Sequence, residues 1–290
     1  MTRFTIEVHI VELYSEAVPL RGAQSVDRAL SLLRHIGHAG QDGIGLSRLA
    51  QGAALNKATT RRLLLALIQS GMVEQCPETR SYHLGEEVFL LGQMATTRHS
   101  LLGLAMDILS RLAGKTGDAA FLSIRRGGFS VCLHREEGDH PVRTYALMPG
   151  HRHPLGVGAG SLAMLAALPD AEAATILRDN RDLLTREYPQ IDPGALSNRL
   201  NEVRSTRVAL NPGMVYAESW GLGVALRWPD GQLAGALSLA AVASRMQHPR
   251  RDALSALLLS EADRMERRLA RGPADEADHA HPRQTERNAI

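Results

Sequence analysis

The sequence predicts an α+β protein of two domains: an α-rich N-terminal domain with a small two-stranded appendage, and a C-terminal domain built on a mainly antiparallel sheet. Three observations predict it. Apolar residues recur at helical spacing from Ser25 to about Leu67 and again from Glu86 to Thr116. Beyond Thr116 the period becomes that of strands, and these come as hairpins joined by Gly127-Gly128 and Pro229-Asp230-Gly231 rather than at βαβ spacing. Finally, 290 residues with 44% hydrophobic and 22% charged content suffice for two packed cores.

The stretch from Gly45 to Gly85 is the most informative. Asn56 is the expected N-cap of a helix from about Lys57 to Ser70. Thr60, Leu63, Leu64 and Leu67 follow one another at i, i+3, i+4 and i+7 and form its buried stripe. Ala58, Arg61, Arg62 and Leu65 face the other way, with Lys57 and Thr59 on the flanks. Leu46, Leu49 and Ala50 mark a shorter helix before it, and Gly52 to Leu55 is the turn between them, which makes a helix-turn-helix. Ser70-Gly71 closes the second helix at a C-cap glycine. Met72 to Gln75 and Ser81 to Leu84 then form two strands around the turn Pro77–Arg80, a wing. A helix that hides leucines and presents arginines suits the DNA major groove. Arg61 and Arg62 are the candidates for base contact, because arginine pairs bidentately with guanine. Lys57, Thr59 and Arg80 are the candidates for phosphate contact.

The charge distribution agrees. The whole chain carries only +2, so no global basic field advertises nucleic acid. From Arg21 to Gly85, however, eight basic residues (Arg21, Arg28, Arg34, Arg48, Lys57, Arg61, Arg62, Arg80) stand against four acids (Asp27, Asp42, Glu74, Glu78), a local excess of four positive charges. Cys76 and Cys132 are the only cysteines and form neither a CxxC pair nor a disulfide framework, which fits a reducing compartment. With no run of 18 apolar residues and no signal-peptide pattern, a cytoplasmic protein without a membrane partner is expected.

Taken in order, residues 1–21 read as an N-terminal extension in which Phe4, Ile6, Val8 and Ile10 alternate like a strand. Residues 22–85 are the winged helix-turn-helix, opened by a helix that Ser25 caps and whose stripe is Val26, Ala29, Leu30 and Leu33. Residues 86–104 form a linker helix; Val88, Leu91, Leu102, Ala105, Leu109 and Leu112 continue its pattern toward Thr116, interrupted by Gly92 and Gly103. Residues 105–271 make the second domain. Its expected strands are Ala119–Arg125, Phe129–Arg135, Val142–Leu147, Gly221–Trp228 and Gln232–Ala241. Its expected helices are Ser161–Leu168, Asp170–Asn180, Pro193–Arg207 and Arg250–Arg271. Residues 272–290 have almost nothing apolar to bury and read as a disordered tail.

These motifs carry a family resemblance. SVDRALSLL, LSRLAQGAAL, ATTRRLLLAL, SGMVEQ, ETRSYHLG and FLLG resemble the DNA-binding domain of the IclR family of bacterial transcription regulators. HPLGVGAGSLAMLAAL, GMVYAESWGLGVAL, DGQLAGALSLAAVASR and the last helix resemble that family's GAF-like effector domain, so the likeness spans about residues 22 to 270. It implies a homodimer able to pair further, double-stranded operator DNA as partner, and a small organic acid as effector.

A ligand site is expected at the loop Gly156-Val157-Gly158-Ala159-Gly160-Ser161, which runs into a helix and can turn backbone N–H groups toward a carboxylate. It is no P-loop, since no lysine follows, and no dinucleotide fingerprint, since the third glycine is missing and no strand leads straight into it. No cofactor is expected. By the resemblance, Gly158 and Ala159 match acid-binding positions of the family. Asn211 matches an acidic position, Gly221 a cysteine, and Ser238 and Ala240 two serines. These departures predict a roomier, less polar pocket and a larger carboxylate, aromatic acids included, with its acid group at Gly158 to Ser161. Arg143, Tyr145, Trp220 and Glu218 are secondary pocket candidates. The sequence does not point to an enzyme. His151 and His153 form a bare HxH pair without further ligands at metal spacing, no GxSxG elbow is present, and Glu136, Glu137 and Asp139 sit at a hairpin end. The alternatives kept are an enzyme acting on the bound acid and a sensor that never touches DNA.

Overall fold

The computed structural model describes residues 22–95, 101–142 and 147–271. They form two compact units, one before and one after residue 97.

The first unit comprises α1 (Gln24–His38), α2 (Leu46–Gly52), α3 (Lys57–Gln69), the strands β1 (Val73–Gln75) and β2 (Tyr82–Leu84), and α4 (Glu86–Ala95). Its core takes one or two side chains from each of the first five elements: Leu32 and Ile36, Leu49, Leu64, Val73 and Tyr82. The N-terminal end of α3 is closed as expected, the Asn56 side chain accepting from the Thr59 N–H at 2.8 Å. Gly71, at φ +71°, follows its C-cap Ser70 and turns the chain into β1. The wing is a short antiparallel pair with Glu74 opposite His83.

Three expectations for this unit need correction. Ser25 does not cap α1: Ala23 is the N-cap residue, without a side-chain bond, and Ser25 lies inside the first turn. The buried face of α1 is Leu32 and Ile36, while Val26 and Leu30 are exposed. The run ALSLLRHI fits either of two stripes one residue out of phase, and only packing against α3 and β2 selects one. In α4, Leu91 is exposed together with Phe89, Leu90 and Met94, so this helix is no core helix of its unit. Gly92 and Gly103 lie inside α4 and α5 (Leu101–Thr116) and break neither; the proposed strands at residues 1–21 and Val142–Leu147 and the tail lie wholly or mostly outside the described residues.

The second unit is a six-stranded sheet of β3 (Ala119–Arg126), β4 (Phe129–Glu136), β5 (Arg152–Pro154), β6 (Ala209–Tyr216), β7 (Ser219–Arg227) and β8 (Leu233–Val242), in the order β5-β4-β3-β8-β7-β6. Every pairing is antiparallel. Helices cover both faces. Alternation along β8 shows how: Leu237, Leu239 and Ala241 join the core with α5 and the long α10 (Arg250–Arg271), and Ala236 joins the opposite core with α6 (Ala159–Ala166), α7 (Asp170–Asp179), α8 (Arg181–Glu187) and α9 (Pro193–Thr206). Ser238 and Ala240 share that second face. The buried ion pairs lie toward α10: the Asp118 carboxylate accepts from Arg245 at 2.8 Å and Arg250 at 2.6 Å, and Arg111 of α5 donates to Glu261 of α10 at 2.8 Å.

Sequence periodicity missed β5, β6 and α8. β5 is only three residues long and α8 only seven. β6 contains Pro212-Gly213, which reads as a turn; it survives as the outermost strand because an edge position leaves one side of the backbone unpaired, and the register shifts at Pro212. No helix among the described residues is long and apolar enough to cross a membrane.

Candidate functional site

The exposed side of α3 is as the leucine stripe requires. Thr60 and Leu64 are fully buried, and the Thr60 hydroxyl donates to the Asn56 carbonyl at 3.0 Å, which holds the polar residue inside the core without an unpaired group. Lys57, Ala58, Arg61, Arg62 and Leu65 are exposed and Thr59 is half-buried. An open groove of about 370 Å³ runs beside the helix, lined by Arg48 of α2, Arg61 and Leu65 of α3, and Thr79 and Arg80 of the wing. Arg62 is exposed outside this groove, so the two candidate base readers are presented differently. Arg80 has φ +59°, a left-handed conformation that costs a non-glycine residue about 1 kcal/mol. Two bonds hold it there: its N–H donates to the Cys76 carbonyl at 2.9 Å and its carbonyl accepts from the Gln75 side chain at 2.9 Å. Arg48, which the sequence analysis counted only in the basic patch, lines this groove as well.

In the second unit one cavity brings together all eight residues singled out as effector contacts: Gly158, Ala159, Gly160, Ser161, Asn211, Gly221, Ser238 and Ala240. The sequence folds this way because α6 lies directly on the sheet. Gly158 is the N-cap at φ +83°, a value that favours glycine. At Gly223 a Cβ would stand 2.4 Å from the Ala159 carbonyl carbon, so only glycine lets the first turn of α6 touch β7. The N–H groups of that turn have no intrahelical acceptor and carry the positive end of the helix dipole. The Ser161 hydroxyl is already used: it accepts from the Gly156 N–H and donates to the Pro154 carbonyl, both at 3.1 Å, and so braces the loop. The short strand β5 ends two residues before Gly156, so a strand does lead toward the loop, contrary to expectation. The Asn211 side-chain oxygen accepts from the Met214 N–H at 2.9 Å, which turns its NH2 into the remaining donor.

The cavity is small. It encloses about 70 Å³. The space expected from glycine at 221 is filled by the Ala159 methyl group, which a Cβ at that position would meet at 3.3 Å. Ser123, Ser130, Ser219 and Ser238 line it, each more than nine-tenths buried. So does His153, whose Nδ1 lies 2.7 Å from the Tyr188 hydroxyl. Burial, then the charge of His151, hold the His153 pKa down to about 4, so the ring is neutral. Among the secondary candidates Trp220 lines the cavity, Glu218 is exposed in the β6–β7 turn away from it, and Arg143 and Tyr145 lie outside the described residues. Glu136 faces His134 at 3.1 Å and Glu137 faces Arg135 at 3.3 Å, so neither is a free carboxylate. Burial pushes the Cys132 thiol up to about 12, which keeps it protonated. Among the described residues no three His, Cys, Asp or Glu side chains are placed to share a metal ion.

Comparison with known proteins extends this picture. The family model "IclR helix-turn-helix domain" matches residues 25–77, and "Bacterial transcriptional regulator IclR C-terminal" matches residues 93–267. The chain is 28% identical over 264 residues to the HTH-type transcriptional regulator BhcR of Paracoccus denitrificans, covering 89% of this chain and 90% of that one. A crystal structure of an IclR transcriptional regulator from Silicibacter sp. is 30% identical, with a TM-score of 0.69 over 84% of this chain and 96% of that one. An IclR homologue from Microbacterium hydrocarbonoxydans, complexed with 4-hydroxybenzoate, shares the fold at 20% identity, with a TM-score of 0.72 over 84% of this chain and 98% of that one. The chain therefore belongs to the IclR family of DNA-binding transcriptional regulators.

Proposed function

We propose that this regulator senses a small monocarboxylic acid and controls a catabolic operon as a homodimer able to pair further, in the manner the family resemblance implies, acting in the cytoplasm. The observation that carries the reading is the cavity at the start of α6. There, first-turn N–H groups, the Asn211 NH2 and the Ser238 hydroxyl border one space that no acidic side chain among the described residues lines. An amide in place of a carboxylate at 211 removes a charge that would repel a bound anion and supplies a donor instead. The narrow cavity suits a small acid as it stands, and an aromatic acid needs a wall such as Phe121 or Trp220 to move. The 4-hydroxybenzoate bound by the Microbacterium relative is thus a test ligand. We assign residues 22–85 to DNA reading, 86–104 to the linker and 105–271 to sensing, and place Arg61 or Arg62 on bases with Lys57, Thr59 and Arg80 on phosphates. The acid acts by binding one of two dimer arrangements more tightly, which changes the spacing of the recognition helices; only differential affinity can shift such a balance.

The experiment is a gel shift with the protein's own upstream DNA, with and without acids. A regulator of this kind loses affinity with salt at a slope of about −0.9 per neutralised phosphate. Arg62→Ala should cost roughly 1–3 kcal/mol and relax preference at one base pair if Arg62 reads a base. An unchanged sequence preference would pass that role to Arg61. Acids that bind without altering the shift would favour a sensor or an enzyme working apart from DNA.

A further inference from the structure

The carboxylate reading accounts for the half of the cavity under α6 and leaves the β3–β4–β5 half unexplained. On that side Ser123 of β3, Ser130 of β4 and His153 of β5 line the same space. Ser130 and His153 are direct cross-strand partners. Ser123 and Ser130 are 2% and 6% exposed, and neither hydroxyl makes a hydrogen bond among the described residues. Neither hydroxyl oxygen is among the buried polar atoms closed off without a partner, so both keep accessible surface, and a polar group inside the cavity can pair with them. The His153 ring is fixed in place. Its Nδ1 faces the Tyr188 hydroxyl at 2.7 Å, and the two rings meet edge-on with centroids 6.0 Å apart. That leaves Nε2 as its second hydrogen-bonding atom, donor or acceptor according to the tautomer that Tyr188 selects. Among the described residues no Lys, Arg, Asp or Glu lines the cavity, so what this half offers from them is hydrogen bonds.

We infer that Ser123, Ser130 and His153 form a second recognition subsite, and that the effector is a monocarboxylic acid bearing an uncharged hydroxyl or carbonyl group that reaches it. The inference rests on the carboxylate reading above. It excludes two neighbouring classes: plain hydrocarbon acids, which leave the hydroxyls unpaired, and dicarboxylic acids, whose second charge meets no cation among the described residues. Tyr188 acts through His153 as a positioning residue.

The test is calorimetric titration of the full-length protein with matched acids that differ only at the far group: 4-hydroxybutyrate against pentanoate and succinate, and 3- and 4-hydroxybenzoate against the corresponding toluates and phthalate isomers. The hydroxy acid of at least one set should bind about tenfold tighter than its methyl counterpart, as one good hydrogen bond implies, and tighter still than the dicarboxylate. Ser130→Ala and Tyr188→Phe, both mild enough to keep the fold, should each bring that ratio toward one while leaving the methyl acid's Kd within about twofold. Binding that requires the carboxylate yet shows no hydroxyl preference in any set overturns this inference alone. So does a preference that survives both Ser123→Ala/Ser130→Ala and Tyr188→Phe. If the methyl esters bind as well as the acids, or no acid binds, the carboxylate reading falls and this inference with it.

Discussion

At the scale of single residues, His153 shows how far local pattern and final environment can diverge. In the sequence it is half of an HxH pair beside a glycine loop, and the nearest chemical thought is a metal. In the fold it is a neutral ring on a cavity wall, paired across strands with Ser130 and bonded to Tyr188, which is 35 positions away in the chain. Its pKa of about 4, against an ordinary 6.5, has a measurable consequence. Between those values the unfolded chain binds more protons than the folded one. The stability contributed by the neutral ring is therefore intact above pH 6.5 and is lost as the pH falls toward 4, by up to about 3 kcal/mol at roughly 1.4 kcal/mol per unit. Urea titrations at pH 7 and 4.5 should show His153→Phe losing distinctly less stability on acidification than the parent; equal losses would remove His153 from this role. Asn56 is the opposite case. Its cap to Thr59 was readable directly, because an N-cap is a contact between residues three apart.

At the scale of elements, the first turn of α6 on β7 determines the cavity. Gly223→Ala would place a methyl group 2.4 Å from the Ala159 carbonyl carbon, and backbone cannot yield as a side-chain tip does. We expect a loss of about 1–3 kcal/mol in the sensing unit and weakened acid binding, with operator binding in the absence of acid retained. Thermal melts and calorimetry on the same preparation check both, and an unaltered acid affinity would show that α6 does not carry the site. On the opposite face, Asp118 ties the end of α5 to Arg245 and Arg250. Asp118→Ala strands two guanidinium groups, both partly open to water, so we expect roughly 2–4 kcal/mol, the lower part of what a fully buried pair would lose. A denaturation midpoint within error of the parent would mark the cluster as dispensable. Elements were legible where length allowed. α3, α10 and the β3–β4 and β7–β8 hairpins carry enough periods or a turn dipeptide to announce themselves. β5 and α8 are too short, and β6 is disguised by the Pro212-Gly213 that its edge position tolerates.

For the whole molecule, the helix-turn-helix and the cavity lie in separate compact units, so the proposed regulation would appear as a coupling free energy between two sites. Coupling is reciprocal in binding. If an acid weakens operator affinity by some factor, typically 5–150-fold, saturating operator must weaken acid affinity by the same factor. Titrating the acid into free and operator-bound protein tests this, and unequal factors would mean that the acid acts by another route, such as a change in oligomer size. The sequence by itself determined the family, the two-part α+β plan, and the cap and leucine stripe of α3. These depend on neighbours within a turn or a hairpin, where period and residue type leave few alternatives. Only the tertiary structure decided which face of α1 is buried, that the space at Gly221 is taken by Ala159, and that serines from β3 and β4 join a histidine from β5 on one wall. Those facts depend on strand order and on how closely α6 approaches the sheet, distances that no local pattern encodes.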